Sequence, residues 1–453
     1  MIKQMTKQTG ALIATILGSG VVFLDGTIVN LALPEISSDL NAGFSDLQWI
    51  ADGYLLSLSA LILLGGSLGD ILGRKRVFLI GLAGFGLFSL LCGLAPSVGY
   101  LIAFRILQGV FGALLVPGGL AIINTNFSKE DRGAAIGKWA AWSGMLAAVG
   151  PLAGGYIIDA ISWRWIFFIN APLIIVCSLL AYFSVRESKD TRVRKIDITG
   201  AVLASLSLAG VTYGLIEGPL DSWGVKSAIS IIGGLILGAL FLVYEKKNKD
   251  PMVNLGLFRS RNFTGANLMT FAMYGALAGF MFALVIYMQT ELGYTAIKAG
   301  LSLLPVSLLL LFFSSRVGKL SQRLGPRLFL TAGPLLAALG IFSLIDYQPG
   351  DSYLWFLLPR VMLFAVGLTL LVAPLTTTVM TSVMDSSSGI ASGINNAVSR
   401  IAGLVVIALL GISGTGNTYR FSMALCSGLA LAAGIISFIT IRNQPQRSRV
   451  QSQ

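Results

Sequence analysis

Residues 66–81 of the chain read GSLGDILGRKRVFLIG, and residues 318–333 repeat this stretch as GKLSQRLGPRLFLTAG. Five residues recur in register, namely Gly66, Leu68, Leu72, Gly73 and Gly81. Each copy joins one long apolar run to the next, so the two halves of the chain have the same predicted topology. Parallel repeats of this kind are one of the architectures of membrane transporters.

The composition is typical of an integral membrane protein. Of the 453 residues, 55% are hydrophobic and 11% are charged, and the mean hydropathy is +0.81; soluble domains carry about 25% charged residues. A spanning helix needs about 20 apolar residues. Fourteen runs are long enough, near 11–33, 47–66, 77–95, 100–123, 134–158, 163–185, 198–216, 227–244, 263–289, 299–315, 328–345, 354–379, 390–413 and 420–441.

The repeat divides these spans into two six-helix bundles with a helix pair inserted between them. The bundles are predicted over 9–185 and 263–442, the linker with inserted helices 7 and 8 over 186–262, and a cytoplasmic tail over 443–453. A full-length span follows directly after Met1–Gly10, so no cleavable signal peptide is expected. The predicted fold is an all-α integral membrane protein of fourteen transmembrane helices.

The basic residues predict the orientation of the chain. The net charge is +12, and 25 of the 32 Lys and Arg residues fall in segments on the side of the N-terminus. This positive-inside bias predicts cytoplasmic N- and C-termini. Because the basic residues follow the predicted membrane topology, the net charge of +12 also argues against a nucleic-acid partner.

Two acids and an arginine interrupt the apolar runs. Asp25 lies halfway along the first run, Asp52 early in the second, and Arg105 within the fourth. A charged side chain at bilayer depth costs roughly 2.5–3.5 kcal/mol and usually has a function. The chain has no histidine, so these carboxylates must carry any transported proton. Each residue also has a structural alternative. Asp25 could make a structural hydrogen bond to Thr27 or to a neighbouring helix, Asp52 lies only a turn or two from the outer surface, and Arg105 could be a structural clamp.

Several motifs together resemble a known family. They are the Gly66–Arg76 loop, LDGTIVNLALP at 24–34, WIADGY at 49–54, RILQG at 105–109, GPLAGG at 150–155, WRWIFFIN at 163–170 and GIASGINN at 389–396. The loop resembles the signature of the major facilitator superfamily. The others are similar to the fourteen-helix drug:proton antiporters, the group that contains bacterial quaternary-ammonium and multidrug exporters.

The resemblance implies a proton-coupled antiporter that exports amphiphilic organic compounds by alternating access. Asp25, Asp52 and Arg105 would couple protons to transport. No enzymatic activity or metal is expected, because a chain without histidine has no Cys/His metal set, HExxH motif or Ser/His pair. No cofactor is expected either, with the proton gradient as the energy source. The expected partners are the lipid bilayer, small amphiphilic substrates and protons, and the expected location is a bacterial cell membrane, with the monomer as the functional unit.

Two motifs are predicted to switch the conformation. In the loop with Gly66, Gly73 and Arg74, the resemblance implies that Asp70 latches the cytoplasmic ends together; the alternative is simple topological anchoring by its basic residues. Gly150, Pro151, Gly154 and Gly155 give helix 5 a kinked, smooth face, and in the family this motif marks exporters. The alternative is a packing role without directional meaning. The upstream Gly144 lies six positions before Gly150 instead of the expected four.

Polar and aromatic residues on several spans are candidates for a substrate cavity. They are Asn30, Trp49, Tyr54, Gln108, Trp142, Tyr287, Asn395, Asn396 and Arg400. Aromatic side chains stack on organic cations, while buried arginines favour an anionic amphiphile. The sequence therefore also allows an exporter of a lipid or an anionic metabolite and, less favoured, an uptake carrier or a membrane enzyme or sensor.

Overall fold

The computed structural model describes residues 2–189, 197–248, 251–384, 388–413 and 418–443. The described part is helical throughout and contains no β-strand. The helices are α1 (Ile2–Leu40), α2 (Phe44–Leu72), α3 (Arg74–Gly93), α4 (Val98–Asn126), α5 (Lys129–Ala160), α6 (Trp165–Phe168), α7 (Asn170–Ser184), α8 (Ile198–Glu217), α9 (Val225–Lys247), α10 (Arg261–Thr290), α11 (Ala296–Leu324), α12 (Pro326–Phe342), α13 (Leu358–Thr381), α14 (Ser388–Leu409) and α15 (Thr418–Thr440). Single turns of 3-10 or π helix lie at Leu255–Arg259, Tyr353–Leu357 and Leu410–Ser413.

The helices have the length and composition of membrane spans. In the part of the chain that is described, 13 are long and apolar enough to cross a bilayer. The apolar helix Pro326–Phe342 is shorter, with 17 residues. The chain is therefore an all-helical integral membrane protein. Most of the predicted tail 443–453 and residues 190–196 of the predicted linker lie outside the described residues.

The structure corrects several predicted helix ends. The first run was expected to end at Leu33, but α1 continues through Pro34 to Leu40. Its last turns are held by packing, since Ile36 is fully buried. The sixth predicted span is instead split into α6 and α7, because Pro172 has no N–H to donate to the carbonyl of Phe168, where α6 ends.

The repeated stretch forms two similar tight turns. Gly73 joins α2 to α3 with φ of +117°, and Gly325 joins α11 to α12 with φ of +87°, a region that favours glycine. Both turns lie at the end of the molecule where α1 begins and α15 ends, which we call the proximal end. The opposite end, where α1 reaches Leu40, is the distal end.

The helices pack in two groups. Helices α1–α7 form the first group and α10–α15 the second. One buried apolar cluster lies wholly within residues 11–185. The other combines second-group residues with distal first-group residues such as Ile28, Leu47 and Ile50. The two groups therefore share a core only towards the distal end.

Helices α8 and α9 form a hairpin outside the two groups. Helix α8 packs against α2 and α14, one helix from each group. Trp49 Nε1 on α2 donates to Glu217 Oε1 at the end of α8, 2.7 Å away. Helix α9 exposes Val225, Ile229 and Leu235, the kind of surface that a helix turns towards lipid. The hairpin is therefore peripheral, but it contacts the distal seam between the groups.

Candidate functional site

Asp25 lies at the centre of a buried hydrogen-bond network in the first group. Its carboxylate is fully buried and accepts three hydrogen bonds. Arg105 Nη1 donates to Oδ2 at 2.5 Å, Gln108 Nε2 to Oδ1 at 3.0 Å, and Asn170 Nδ2 to Oδ1 at 3.4 Å. The network joins α1, α4 and α7. Because every contact of Asp25 is with a donor, the geometry fits an ionised carboxylate.

Arg105 connects this carboxylate to α2. Its Nε donates to the carbonyl of Ile50 at 3.2 Å, and its guanidinium lies 4.2 Å from the centre of the Tyr54 ring. Its Nη1 also donates to Gln108 Oε1 at 2.7 Å. The arginine is only 1% exposed, and Asp25 is its only ion-pair partner among the described residues. A change in the charge of Asp25 would leave Arg105 without its counter-ion.

Asn170 is a site residue to which the sequence assigned no role. It is the first residue of α7, and its Nδ2 also donates to Ser89 Oγ at 3.0 Å. Ser89 in turn donates to the carbonyl of Phe167 at 2.8 Å. The only signal in the sequence is a polar side chain at the end of the WRWIFFIN motif.

Asp52 is buried in a different way. Its side chain is fully buried, and neither carboxylate oxygen has a hydrogen-bond partner among the described residues. Asp52 lies about two turns from the start of α2 at the distal end, so its role in proton coupling and the alternative of a position near the outer surface both stay predictions. Two buried acids in one helix group thus differ in environment, since one is paired with a cation and the other is unpaired.

The glycine face of α5 closes the distal end. A Cβ atom on Gly154 would lie 2.1 Å from Ile28 Cγ1, and one on Gly155 would lie 2.5 Å from Ile297 Cα. A Cβ on Gly150 would meet Thr27 Oγ1 at 2.7 Å. Helix α5 therefore approaches α1 and α11 at distances that only glycine allows. Pro151 lies in the same contact, and a Cβ on Gly300 of α11 would be 2.4 Å from its carbonyl oxygen.

Asp159 strengthens the same contact, and sequence reasoning missed it. Its Oδ1 accepts from the N–H of Ala296 at 3.0 Å, and its Oδ2 from the N–H of Ile297 at 2.9 Å. The carboxylate of α5 therefore binds the N-terminus of α11, where the helix dipole favours negative charge. This contact crosses from the first group to the second.

Two glutamine side chains complete the distal seam. Gln48 Nε2 of α2 donates to the carbonyls of Ile407 and Ala408 on α14, at 2.5 and 3.2 Å. Gln289 Nε2 of α10 donates to the carbonyl of Leu31 on α1 at 3.0 Å. Hydrogen bonds thus link the two groups at their distal ends.

The proximal loop makes local contacts instead. Asp70 Oδ1 pairs with Arg74 Nη2 at 2.7 Å, one turn along the same chain. In the described residues, this arginine is the only ion-pair partner of Asp70. A Cβ on Gly66 would make only ordinary contact, at 3.6 Å from Pro117 Cβ. The predicted latch is therefore disengaged from the second group in this conformation.

The predicted cavity residues do not form one cluster. Tyr54 and Gln108 are buried beside Arg105. Asn30, Asn396 and Arg400 are half-buried, and Trp142 is 54% exposed. Asn395 Nδ2 binds Asn267 Oδ1 at 3.2 Å and Thr270 Oγ1 at 2.8 Å, within the second group.

Two aromatic candidates lie elsewhere. Trp49 binds Glu217 of α8, so it anchors the peripheral hairpin. Tyr287 stacks on Tyr419 with ring centres 3.7 Å apart and donates to the carbonyl of Tyr347 at 2.7 Å. Both side chains already have partners at the distal end. The pattern of aromatic residues in a sequence does not specify these partners.

Three antibiotic or multidrug resistance proteins are similar to this chain in sequence. The puromycin resistance protein of Streptomyces alboniger is 34% identical over 88% of this chain and 80% of its own. The multidrug resistance protein Stp of Mycobacterium tuberculosis (strain CDC 1551 / Oshkosh) is 34% identical over 88% and 74%. The tetracenomycin C resistance and export protein of Streptomyces glaucescens is 31% identical over 88% and 75%.

Solved transporter structures share the fold. A crystal structure of a peptide transporter POT in complex with sulfate superposes with a TM-score of 0.69 at 15% identity, over 95% of this chain and 94% of that chain. A D-xylose–proton symporter gives a TM-score of 0.69 at 14% identity, over 96% and 98%. A sequence model of the Major Facilitator Superfamily matches residues 15–407. The chain is a membrane transporter that belongs to the Major Facilitator Superfamily.

Proposed function

We propose that the protein is a proton-coupled antiporter that exports amphiphilic organic compounds by alternating access. The observation that carries the proposal is the fully buried carboxylate of Asp25, held by Arg105, Gln108 and Asn170. An ionisable group inside a membrane-spanning bundle is a functional site by default. The relatives that resist or export antibiotics supply the class of cargo.

The proposed topology has fourteen spans. Helices α6 and α7 together make one span, α12 makes another, and α8–α9 form the inserted pair between bundles at 9–185 and 263–442. The proximal end faces the cytoplasm, because 25 of the 32 basic residues fall on that side. Both termini are then cytoplasmic in a bacterial cell membrane.

With this orientation, the conformation described above is inward-facing. The distal end is closed by Asp159 and Gln48, while Asp70 is bound only within its own loop. Rocking of the two groups would break the Asp159 contact and bring Asp70 to the second group. The glycine face of α5 and the loop of Asp70 would thus stabilise opposite states.

The two acids differ in protonation in this proposal. Asp25 is ionised, because it accepts only from donors and neutralises Arg105. Asp52 carries a proton, because an unpaired buried charge costs several kcal/mol. Protonation of Asp25 from outside would release Arg105 and loosen the link from α1 to α2. Two acids also allow two protons per cycle, so that export of a monovalent cation still gains about 2.3 kcal/mol per 100 mV.

One observation favours an anionic cargo as the second candidate. Arg400 of α14 lies with its guanidinium 5.8 Å from the Phe23 ring of α1, so it lies between the groups. It makes no ion pair with any described residue. A free cation at this place would suit an anionic amphiphile or a lipid headgroup better than an organic cation.

The test is transport in proteoliposomes under an imposed pH gradient. The cargo panel is ethidium, puromycin and the anionic amphiphile cholate, and both cargo movement and internal pH are followed. We expect cargo and protons to move in opposite directions, and no proton movement with the double variant Asp25→Asn, Asp52→Asn. Movement of cargo and protons in the same direction would instead identify an uptake symporter.

A further inference from the structure

A basic cavity at the proximal end of the second group has no place in the transport cycle described above. Its volume is about 280 Å³. It is open on one side and is lined by the start of α10, the turn between α11 and α12, the end of α13 and the residues after α15. Arg323, Arg442, Gln322 and Asn443 lie on its wall together with Leu324.

The cations of this cavity are free to bind a ligand. The lining contains no acidic residue, and neither arginine has a carboxylate partner among the described residues. Arg323 and Arg442 are both exposed. Two unpaired guanidinium groups facing one cavity are suited to a phosphate, which they bind through paired N–H donors.

The wall that carries Arg442 is held in place. Asn262 Nδ2 donates to the carbonyl of Arg442 at 3.0 Å, and the N–H of Arg442 donates back to Asn262 Oδ1 at 2.9 Å. Asn443 Oδ1 accepts from the N–H of Arg327 at 3.1 Å. These bonds fix the backbone beside the cavity before any ligand binds. A preorganised site binds its ligand with a smaller loss of conformational freedom.

An apolar surface adjoins the cavity. Leu324 lines the cavity and is 54% exposed, while Leu320 and Leu328 are 45% and 58% exposed on the flanking helices. A free phosphate would leave these leucines unused. A phospholipid would place its phosphate on the arginines and its acyl chains on the leucines.

A cavity in the first group provides a contrast. It has a volume of about 310 Å³ and is lined by Lys7 and Arg186. Ser128 on its wall donates to Asp131 Oδ2 at 3.1 Å, which puts a carboxylate beside it. The second-group cavity is therefore the better anion site.

We propose that the cavity of Arg323 and Arg442 binds the phosphate headgroup of an anionic phospholipid. This site is independent of the proposed export function, since it involves neither Asp25 nor the seam between the groups. Its ligand is a lipid of the leaflet at the proximal end.

The experiment measures binding of phosphatidylglycerol to the full-length protein by native mass spectrometry. Phosphatidylcholine, glycerol 3-phosphate and inorganic phosphate are parallel probes. We expect the double variant Arg323→Gln, Arg442→Gln to weaken phosphatidylglycerol binding at least tenfold. The matched control Lys319→Gln, Lys246→Gln removes two exposed proximal charges outside the cavity and should change binding less than twofold.

Three results would overturn the proposal. Equal losses in the two double variants would mean non-specific attraction of lipid by positive charge. Equal binding of inorganic phosphate and phosphatidylglycerol would identify a free anion as the ligand. Unchanged binding in the arginine variant would place the lipid elsewhere. If that variant does not fold, Arg323→Gln and Arg442→Gln are tested singly, and each should weaken binding several-fold.

Discussion

The two helix groups share a similar glycine turn at the proximal end, at Gly73 and Gly325, but differ in charge. The buried polar contact of the first group is an ion pair, between Asp25 and Arg105. The second group has a part-buried neutral network instead, with Asn395 bound to Asn267 and Thr270. Protonation can change the charge of the first network, whereas the second has nothing to titrate. The difference suggests that the first group responds to protons and the second follows it mechanically.

The same change from acid to amide occurs at the proximal turns. Glu187 accepts from the N–H groups of Lys75 and Arg76, both at 3.1 Å, at the start of α3. Asn443 accepts from the N–H of Arg327 at the start of α12, which corresponds to Lys75 in the repeat. A side chain from the end of the last helix thus caps the turn in both groups, but only Glu187 can be charged.

The largest expected effect comes from Asp25→Asn. The variant removes the counter-ion of a buried arginine, and breaking such a pair costs about 3–5 kcal/mol. Uphill transport in proteoliposomes should be lost and the melting temperature should fall. Asn395→Ala, which breaks the neutral network of the second group, should keep proton-coupled accumulation. Loss of coupling in Asn395→Ala would contradict the assignment of proton response to the first group.

Asp52→Asn should separate coupling from stability. The acid has no hydrogen-bond partner among the described residues, so the free energy of unfolding should change by less than about 1 kcal/mol. Proton flux per exported cargo should fall, as measured by simultaneous pH and cargo assays. A destabilisation as large as that of Asp25→Asn would mean that Asp52 has a structural partner, and the two-proton proposal would then fail.

Gly155→Ala should favour the outward-facing state. The added Cβ would meet the backbone of α11 at 2.5 Å, and backbone atoms cannot turn aside as a flexible side chain can. Spin labels on the two groups at the distal end should report a longer distance. Gly144→Ala is the matched control on the same helix, because a Cβ there meets nothing within 4 Å. The same displacement in both variants would show that the glycine face does not control closure.

Asp159→Asn should have a smaller effect in the same direction. The amide keeps one acceptor but loses the charge and the second acceptor facing α11, and hydrogen bonds to charged groups contribute about 1.5–3 kcal/mol. The outward-facing population should rise roughly tenfold. Glu291→Gln, an exposed acid at the same end, should leave the distances unchanged. An unaltered outward-facing population in Asp159→Asn would mean that this carboxylate does not help to hold the distal end closed.

The sequence predicts the features that depend on composition and spacing. Apolar runs identify the helices, and the cost of charge inside such runs marks Asp25, Asp52 and Arg105 as functional candidates. The pairing of Arg105 with Asp25 is a finding of the structure. Gln108 follows Arg105 by three positions, which places both on one face of α4. These inferences need only local periodicity and the cost of burying charge. The roles of Asp52, Asp159 and the glycine face remain predictions about mechanism.

The contacts between segments that are distant in the chain could not be predicted from the sequence. Asn170 approaches Asp25 across 145 positions, and Asp159 approaches α11 across 137. Either residue alone is only a polar side chain near a helix end. Trp49 and Tyr287 show the converse, since their aromatic character predicts stacking but not which ring or carboxylate they meet.

The smallest expected effect concerns the capped turns, where the acid and the amide can be exchanged. Glu187→Gln weakens the cap of α3, and Asn443→Asp strengthens that of α12, each by about 0.3–1 kcal/mol, because negative charge is favourable at a helix N-terminus. The melting temperature should fall slightly in the first variant and rise slightly in the second, with their sum in the double variant. If both variants destabilise the protein equally, the two turns need different side chains for steric reasons, and charge does not explain their difference. The expected result, a fall in the first variant and a rise in the second, would show that the second group tolerates an acid here and that its amide leaves this turn without a titratable cap.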